Sequence, residues 1–146
     1  MPTPKEIVDA GLAAWRARDI EAGAQLFAED AVVSLPAGLE LHGRDGFKMF
    51  YMVWTTAFPD NEITIHNEYV AGSTVVQEAT FSGTHTGDLM TPDGQVIPPT
   101  GRKGNGRYCG IFTVEGDLVT RYALYFDQVE LLTQLGLMPA LAVATS

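Results

Sequence analysis

Between residues 63 and 126 the chain offers one extended run after another and no helix-length stretch, which limits its fold more than any other feature does. Residues 63–70, Ile-Thr-Ile-His-Asn-Glu-Tyr-Val, are rich in β-branched and aromatic types. Ala71-Gly72-Ser73 turns the chain into a second run, residues 74–84. A third spans residues 102–114, where Gly104, Gly106 and Gly110 predict a bulge or strong curvature. Glu115-Gly116-Asp117 leads into the last, residues 119–127. Helical patterns precede this block, and one short helical stretch follows it. Helices first and a meander of long strands after is an α+β plan with a mostly antiparallel sheet. A strongly curved sheet wrapped around N-terminal helices makes a cone with a mouth, a natural place for a small-molecule cavity.

The helices are marked by their caps and stripes. Thr3-Pro4-Lys5-Glu6 is a capping box with proline at the first helical position. Ile7, Val8, Gly11, Leu12 and Trp15 then recur at helical spacing. Trp15 belongs to the core, and its ring edge can also reach a pocket. Asp19 caps a second, shorter helix through Ile20, Ala24, Leu26 and Phe27, ended by Glu29-Asp30. Residues 31–35 and 39–42 read as a hairpin turned by Pro36-Ala37-Gly38. His42 is a solvated turn residue. Phe47, Phe50, Tyr51, Trp54 and Phe58 put an aromatic stripe on a third helix. Such a stripe packs on a sheet, and it can equally wall a pocket for a flat ligand. Phe58-Pro59-Asp60 stops this helix.

A chain of 146 residues is expected to form one domain over residues 1–146, with a sizeable core. The net charge of −9 argues against nucleic acid and anionic membrane as partners. One cysteine, Cys109, and three scattered histidines allow no internal disulfide and no zinc site of ordinary spacing. No stretch approaches the roughly 18 apolar residues of a spanning helix, and the N-terminus has no apolar signal core. A cytoplasmic location is the expectation.

The last strand carries the residue of most chemical interest. With period two, Arg121, Ala123, Tyr125 and Asp127 share one face, and Tyr122, Leu124 and Phe126 the other. Asp127 either caps the helical stretch that follows or turns a carboxylate into a cavity. Glu78 sits mid-strand on a solvated face, or inside the cavity as a partner for Asp127, Arg121 or Arg107. His85, beside glycines, either holds a loop or takes part in the site. His66 is structural. The loop from Pro92 to Gly101 is long enough for a lid or a dimer arm.

Three pieces, taken together, resemble the SnoaL-like polyketide cyclases of the NTF2-like superfamily. They are Trp54-Thr-Thr-Ala-Phe-Pro-Asp60, Gly83-Thr-His-Thr-Gly87, and Asp127 followed by Leu131-Leu132-Thr-Gln-Leu-Gly136. The resemblance runs from the first helix to Pro139. It implies an NTF2-like cone-shaped α+β barrel, usually a homodimer packed through the outer face of the sheet, with no metal and no organic cofactor. In such cyclases an aspartate near the end of the last long strand is the acid/base of an intramolecular aldol closure, and the matching position is Asp127. They also use a histidine on the neighbouring strand, where residues 110–113 here contain none.

The resemblance implies Asp127 as base and then acid, its carboxyl raised by an apolar setting. Tyr125 or His85 would orient a carbonyl, with Trp15, Phe50 and Trp54 against the substrate and Glu78 nearby. The ligand is expected to be a small hydrophobic or aromatic molecule, here a polyketide-like ester. The alternatives are a non-catalytic module that binds a hydrophobic ligand, and an isomerase or hydrolase on the same scaffold.

Overall fold

The structure, a computed structural model, describes residues 2–91 and 94–138. Pro92, where the predicted long loop begins, and Pro139 lie outside the described residues. In chain order the elements are α1 (Pro4–Arg16), α2 (Ile20–Gln25), β1 (Phe27–Ser34), β2 (Glu40–His42) and α3 (Gly43–Ala57). Then come β3 (Glu62–Ala71), β4 (Thr74–Thr84), β5 (Leu89–Met90), β6 (Val96–Ile97), β7 (Lys103–Glu115), β8 (Leu118–Phe126) and α4 (Gln128–Gln134). The main sheet has the order β2-β1-β8-β7-β4-β3, with β1 and β8 parallel and every other pair antiparallel. No helix among the described residues is long and apolar enough to cross a membrane.

The caps form as the sequence predicts. The Glu6 N–H donates to Thr3 Oγ1 and the Thr3 N–H to Glu6 Oε1, both at 3.2 Å. Asp19 accepts from the Ala22 N–H at 3.0 Å. Strand β1, however, begins at Phe27 rather than Ala31, so Glu29 and Asp30 belong to the strand and do not end a helix. Two interactions hold this stretch extended. Phe27 and Ala28 are buried in the core, and the Arg44 guanidinium donates to the Phe27 carbonyl at 2.9 Å. The extra length is absorbed by a register shift against β8 between Phe27 and Val32.

Strand β7 is also more regular than its glycines suggest. Its pairing with β4 runs without a shift from Thr74–Thr113 to Thr84–Lys103. The irregularities lie between Ile65 and Asn67 and between Thr113 and Val114. The glycines provide space instead. A Cβ at Gly110 would meet the Tyr122 ring at 2.9 Å, and one at Gly104 would meet Leu131 at 3.1 Å.

One end of the curved sheet is closed by a cluster of Ala57, Phe58, Leu89, Leu131 and Leu135. Here the three family-like sequence pieces meet. Phe58 stacks on Trp54 at 6.2 Å between ring centroids and meets Phe81 edge-on at 5.5 Å. Asp60 accepts from the Thr84 N–H at 2.8 Å, and this bond draws its carboxyl below the usual carboxylate range. The N–H groups of Thr86 and Gly87 both donate to the Ala57 carbonyl at 3.2 Å. Gly87 lies so close to the Thr56 carbonyl that a Cβ has no room. Thus Gly83-Thr-His-Thr-Gly87 joins the end of β4 to the end of α3.

His85 pins the loop that leaves this joint. It has no exposed surface, and its Nδ1 accepts from the Thr100 N–H at 3.2 Å. Its backbone pairs with Gly101 at 2.8 Å and Arg102 at 2.9 Å. The proton therefore sits on Nε2, which is buried without a hydrogen-bond partner among the described residues. Burial lowers the His85 pKa; the Gly87 carbonyl and the Asp88 charge work in the opposite direction.

Two outcomes check this end of the molecule. Gly87→Ala is expected to lose about 1–3 kcal/mol of stability in a urea titration, because the Thr56 backbone cannot withdraw without unmaking the end of α3. A loss within about 0.5 kcal/mol would show that the joint yields. His85→Gln keeps an acceptor for Thr100 but cannot titrate. An unfolded histidine gains its proton near about pH 6.5 and the buried one only lower, so stability is lost as pH falls through that window. Between about pH 7.5 and about pH 5 the wild-type melting temperature should fall further than that of His85→Gln, and parallel curves would show that burial does not keep His85 neutral.

Candidate functional site

Strand periodicity decides what faces the interior. Across β4, β7 and β8 the inward rows are Val75–Phe112–Tyr122, Gln77–Gly110–Leu124 and Ala79–Tyr108–Phe126, with Phe81–Gly106 beyond. Helix α1 brings Val8, Leu12 and Trp15 against this surface, and α3 brings Phe47, Phe50 and Trp54. Phe27 of β1 and Ile63 of β3 line the same space, so the sheet curls far enough for distant strands to share one cavity. The cavity measures about 120 Å³. That approaches the roughly 150 Å³ of an engineered apolar void that stays dry and admits benzene.

The aromatic walls are fixed in place. Trp15 donates through Nε1 to Asn61 Oδ1 at 2.9 Å, and Arg18 reaches the same oxygen at 3.2 Å. Trp54 stands edge-on to both Phe81 and Phe126 at 5.6 Å. A second depression, between α1 and β3, is edged by Asp9, Arg16 and Glu68 and shares Leu12 and Ile63 with the cavity.

The lining contains few polar groups. Gln77 Nε2 donates to Glu68 Oε2 at 2.8 Å, and the Lys5 ammonium lies 3.3 Å from Glu68 Oε1. A carboxylate only accepts, so one amide N–H of Gln77 is committed to Glu68. Tyr108 and Tyr122 supply the other polar atoms. Burial pushes the Tyr108 phenol up to about 12, against a small opposing effect of Arg16. Burial raises Tyr122 well above the ordinary phenol range, with Tyr108 and Cys109 adding to it. Both phenols are therefore neutral donors at physiological pH. Among the described residues the lining includes no carboxylate and no imidazole. No group of three or more His, Cys, Asp or Glu among them is placed to hold a metal ion.

Of the residues singled out from sequence, Trp15, Phe50 and Trp54 come together in this cavity. Tyr125 does not: it is 58% exposed on the opposite face of β8, because its neighbours Leu124 and Phe126 point inward. Glu78 is likewise exposed on the outer face, where it accepts from the Tyr69 hydroxyl at 3.4 Å. Arg121 and Arg107 are exposed too, and Arg107 lies 3.6 Å from Glu130. His85 sits behind Phe58 in the closed end, at 5.5 Å between ring centroids. Asp127 is exposed and accepts from the Glu130 N–H at 3.0 Å, capping α4. It follows Phe126, whose ring lines the cavity, but does not line it itself.

Sequence reasoning passed over Gln77, Tyr108 and Tyr122. A signal was present for the tyrosines. Tyr122 shares a face with Leu124 and Phe126, and Tyr108 alternates with Gly106 and Gly110, small residues that leave room above a strand.

The SnoaL-like polyketide cyclase family matches residues 5–135, from α1 through α4. In structure the chain is similar to IdmH of Streptomyces antibioticus, a candidate polyketide cyclase, at 25% identity and a TM-score of 0.77, covering 92% of this chain and 99% of that one. It is similar to a candidate SnoaL-like polyketide cyclase of Jannaschia sp. CCS1, at 18% identity and a TM-score of 0.81, with 93% of each chain covered. It also resembles an LEH-like epoxide hydrolase of M. tuberculosis, at 19% identity and a TM-score of 0.68, covering 90% and 88%. The last two likenesses speak to the fold. Among curated proteins none matches the chain. With every element of an NTF2-like fold in place and the family match spanning nearly all of it, the chain belongs to the SnoaL-like polyketide cyclase family.

Proposed function

We propose that this protein is a polyketide-cyclase-type enzyme that folds a small polyketide-like ester inside the aromatic cavity and closes a ring by intramolecular aldol addition. The cavity itself carries this reading. It is apolar, walled by Trp15, Phe50 and Trp54, and has room for about one ring, with a second depression adjoining it at Leu12 and Ile63. Ring closure needs a proton taken from a methylene between two carbonyls. The enolate carbon then bonds to the second carbonyl carbon, and that oxygen receives a proton. One carboxylate can do both transfers. Asp127 is the residue proposed for them, supported by the family resemblance and by its place next to Phe126. To serve, it must release the Glu130 N–H it now caps. A second reading, a non-catalytic module for a hydrophobic ligand, draws support from the lack of any carboxylate or imidazole in the described lining.

The protein is further proposed to work as a homodimer through the outer face of its sheet. An uncharged row, Tyr69–Val76–Ile111, crosses three strands on that face and ends at buried Ala123, and Tyr125 stands exposed one row away. Burying such a row against its own copy removes apolar surface from water on both sides.

Asp127→Asn tests the chemistry. Asparagine caps a helix about as well as aspartate, so stability should stay within about 0.5 kcal/mol. Cyclisation of a short poly-β-keto ester, followed by the ultraviolet absorbance of the new ring, should slow by about 10²–10⁴-fold. Unchanged turnover would leave Asp127 as a cap only. Tight binding of the ester by wild type with no turnover would establish the binding module instead. For the dimer, Ile111→Asp should sediment as a monomer where wild type sediments as a dimer, and a monomeric wild type removes that proposal.

A further inference from the structure

Two of the cavity's three polar residues are tyrosines, and neither hydroxyl has a hydrogen-bond partner among the described residues. A phenol buried in an apolar wall without a partner costs stability, whereas phenylalanine would fill the same ring space. Here the two phenols lie close enough for Tyr108 to bear on the ionisation of Tyr122. Tyr108 and Gly110 are two residues apart on the inward face of β7, and Tyr122 pairs with Phe112 one row further on. The Tyr122 ring leans back over Gly110, where an added Cβ would lie 2.9 Å from its hydroxyl. Gly110 is thus the notch that lets the Tyr122 hydroxyl approach the row of Tyr108. The Tyr122 ring is held by its neighbours: Phe112 packs on it at 4.4 Å and Phe50 meets it edge-on at 6.1 Å.

We propose that the hydroxyls of Tyr108 and Tyr122 form a donor pair that receives one carbonyl oxygen of a neutral ligand, so that the cavity selects ketones and esters over hydrocarbons of the same shape and over carboxylates. This rests on the cavity being the ligand site, as proposed above, and not on any reaction occurring there. The donors face a space that is otherwise mostly apolar. A carboxylate would enter without a counter-charge, since the described lining holds no Lys, Arg or His. A carbonyl whose oxygen gains negative charge as its neighbouring carbon loses a proton would be held more tightly still, because hydrogen bonds to charged acceptors are the stronger ones. The pair therefore favours the enolisable carbonyl of an ester or ketone.

Three single-ring probes test this by calorimetric titration of the whole protein: acetophenone, α-methylstyrene, which has nearly the same shape without the oxygen, and benzoate. Wild type should prefer acetophenone over α-methylstyrene by about tenfold or more and should not bind benzoate measurably. Tyr108→Phe and Tyr122→Phe should each reduce the acetophenone preference by about 2–10-fold, and the double variant should abolish it while still binding α-methylstyrene. Gly110→Ala, which crowds the Tyr122 hydroxyl, should mimic Tyr122→Phe. The carbonyl stretch of bound acetophenone should lie at lower frequency in wild type than in the double variant. Both single variants should melt at or above the wild-type temperature, because each loses an unpaired hydroxyl; a lower melting temperature would mean that the phenols bond within the protein, against the proposal. Equal binding of acetophenone and α-methylstyrene by wild type overturns the donor pair and leaves the cavity as a ligand site. Failure of every probe to bind overturns the cavity reading and the donor pair with it.

Discussion

A curved sheet keeps a hollow centre only if its end is sealed, and in this protein the seal is the contact between the end of α3 and the end of β4. Backbone meets backbone there. Ala57 accepts from Thr86 and Gly87, and Asp60 accepts from Thr84. Glycine at 83 and 87 is what allows chains to approach so closely, since a Cβ at Gly83 would meet Phe58 and Asp60 at 3.1 Å. Phe58, without exposed surface, fills the space this contact creates, and α4 lays Leu131 and Leu135 over it. The sequence pieces that mark the family thus meet at the seal. They bear first on whether the cavity exists, and only through it on what the cavity does.

Beyond the seal the interior divides by function. The floor and walls are hydrocarbon and aromatic, which makes the space dry and tolerant of flat ligands. The few polar atoms are neutral and held in place. A site of this kind offers little to a charged molecule and much to an apolar one with a single oxygen to place. Charged groups line the adjoining depression between α1 and β3, where water can screen them.

Much of the fold was legible in the sequence because local rules and tertiary structure agree. The capping box at Thr3, the Asp19 cap, the hairpin at residues 31–42 and the aromatic face of α3 all follow from spacing and side-chain chemistry. The two faces of β8 were also separable by period two. What sequence could not supply was the sign of the sheet's curvature, that is, which face is concave. Tyr125 and Glu78 were placed toward the ligand, whereas the inward residues are their neighbours, Leu124, Phe126 and Gln77. The β7 glycines misled in a related way. Their pattern suggests a bulge or strong curvature, yet the pairing with β4 has no bulge, and Gly110 and Gly104 leave volume above the strand for Tyr122 and Leu131. Such a role depends on partners far away in sequence, and no local pattern records it.

The Lys5–Glu68–Gln77 chain gives the cavity a direction. Glu68 holds one of the two amide N–H groups of Gln77, so the amide cannot turn over without losing that bond. Across the same small space stand two groups that give protons to hydrogen bonds. An asymmetric guest therefore meets a fixed amide on one side and two phenols on the other. The direction in which any guest lies inside is thus biased in part by a lysine on the outer surface of the first helix.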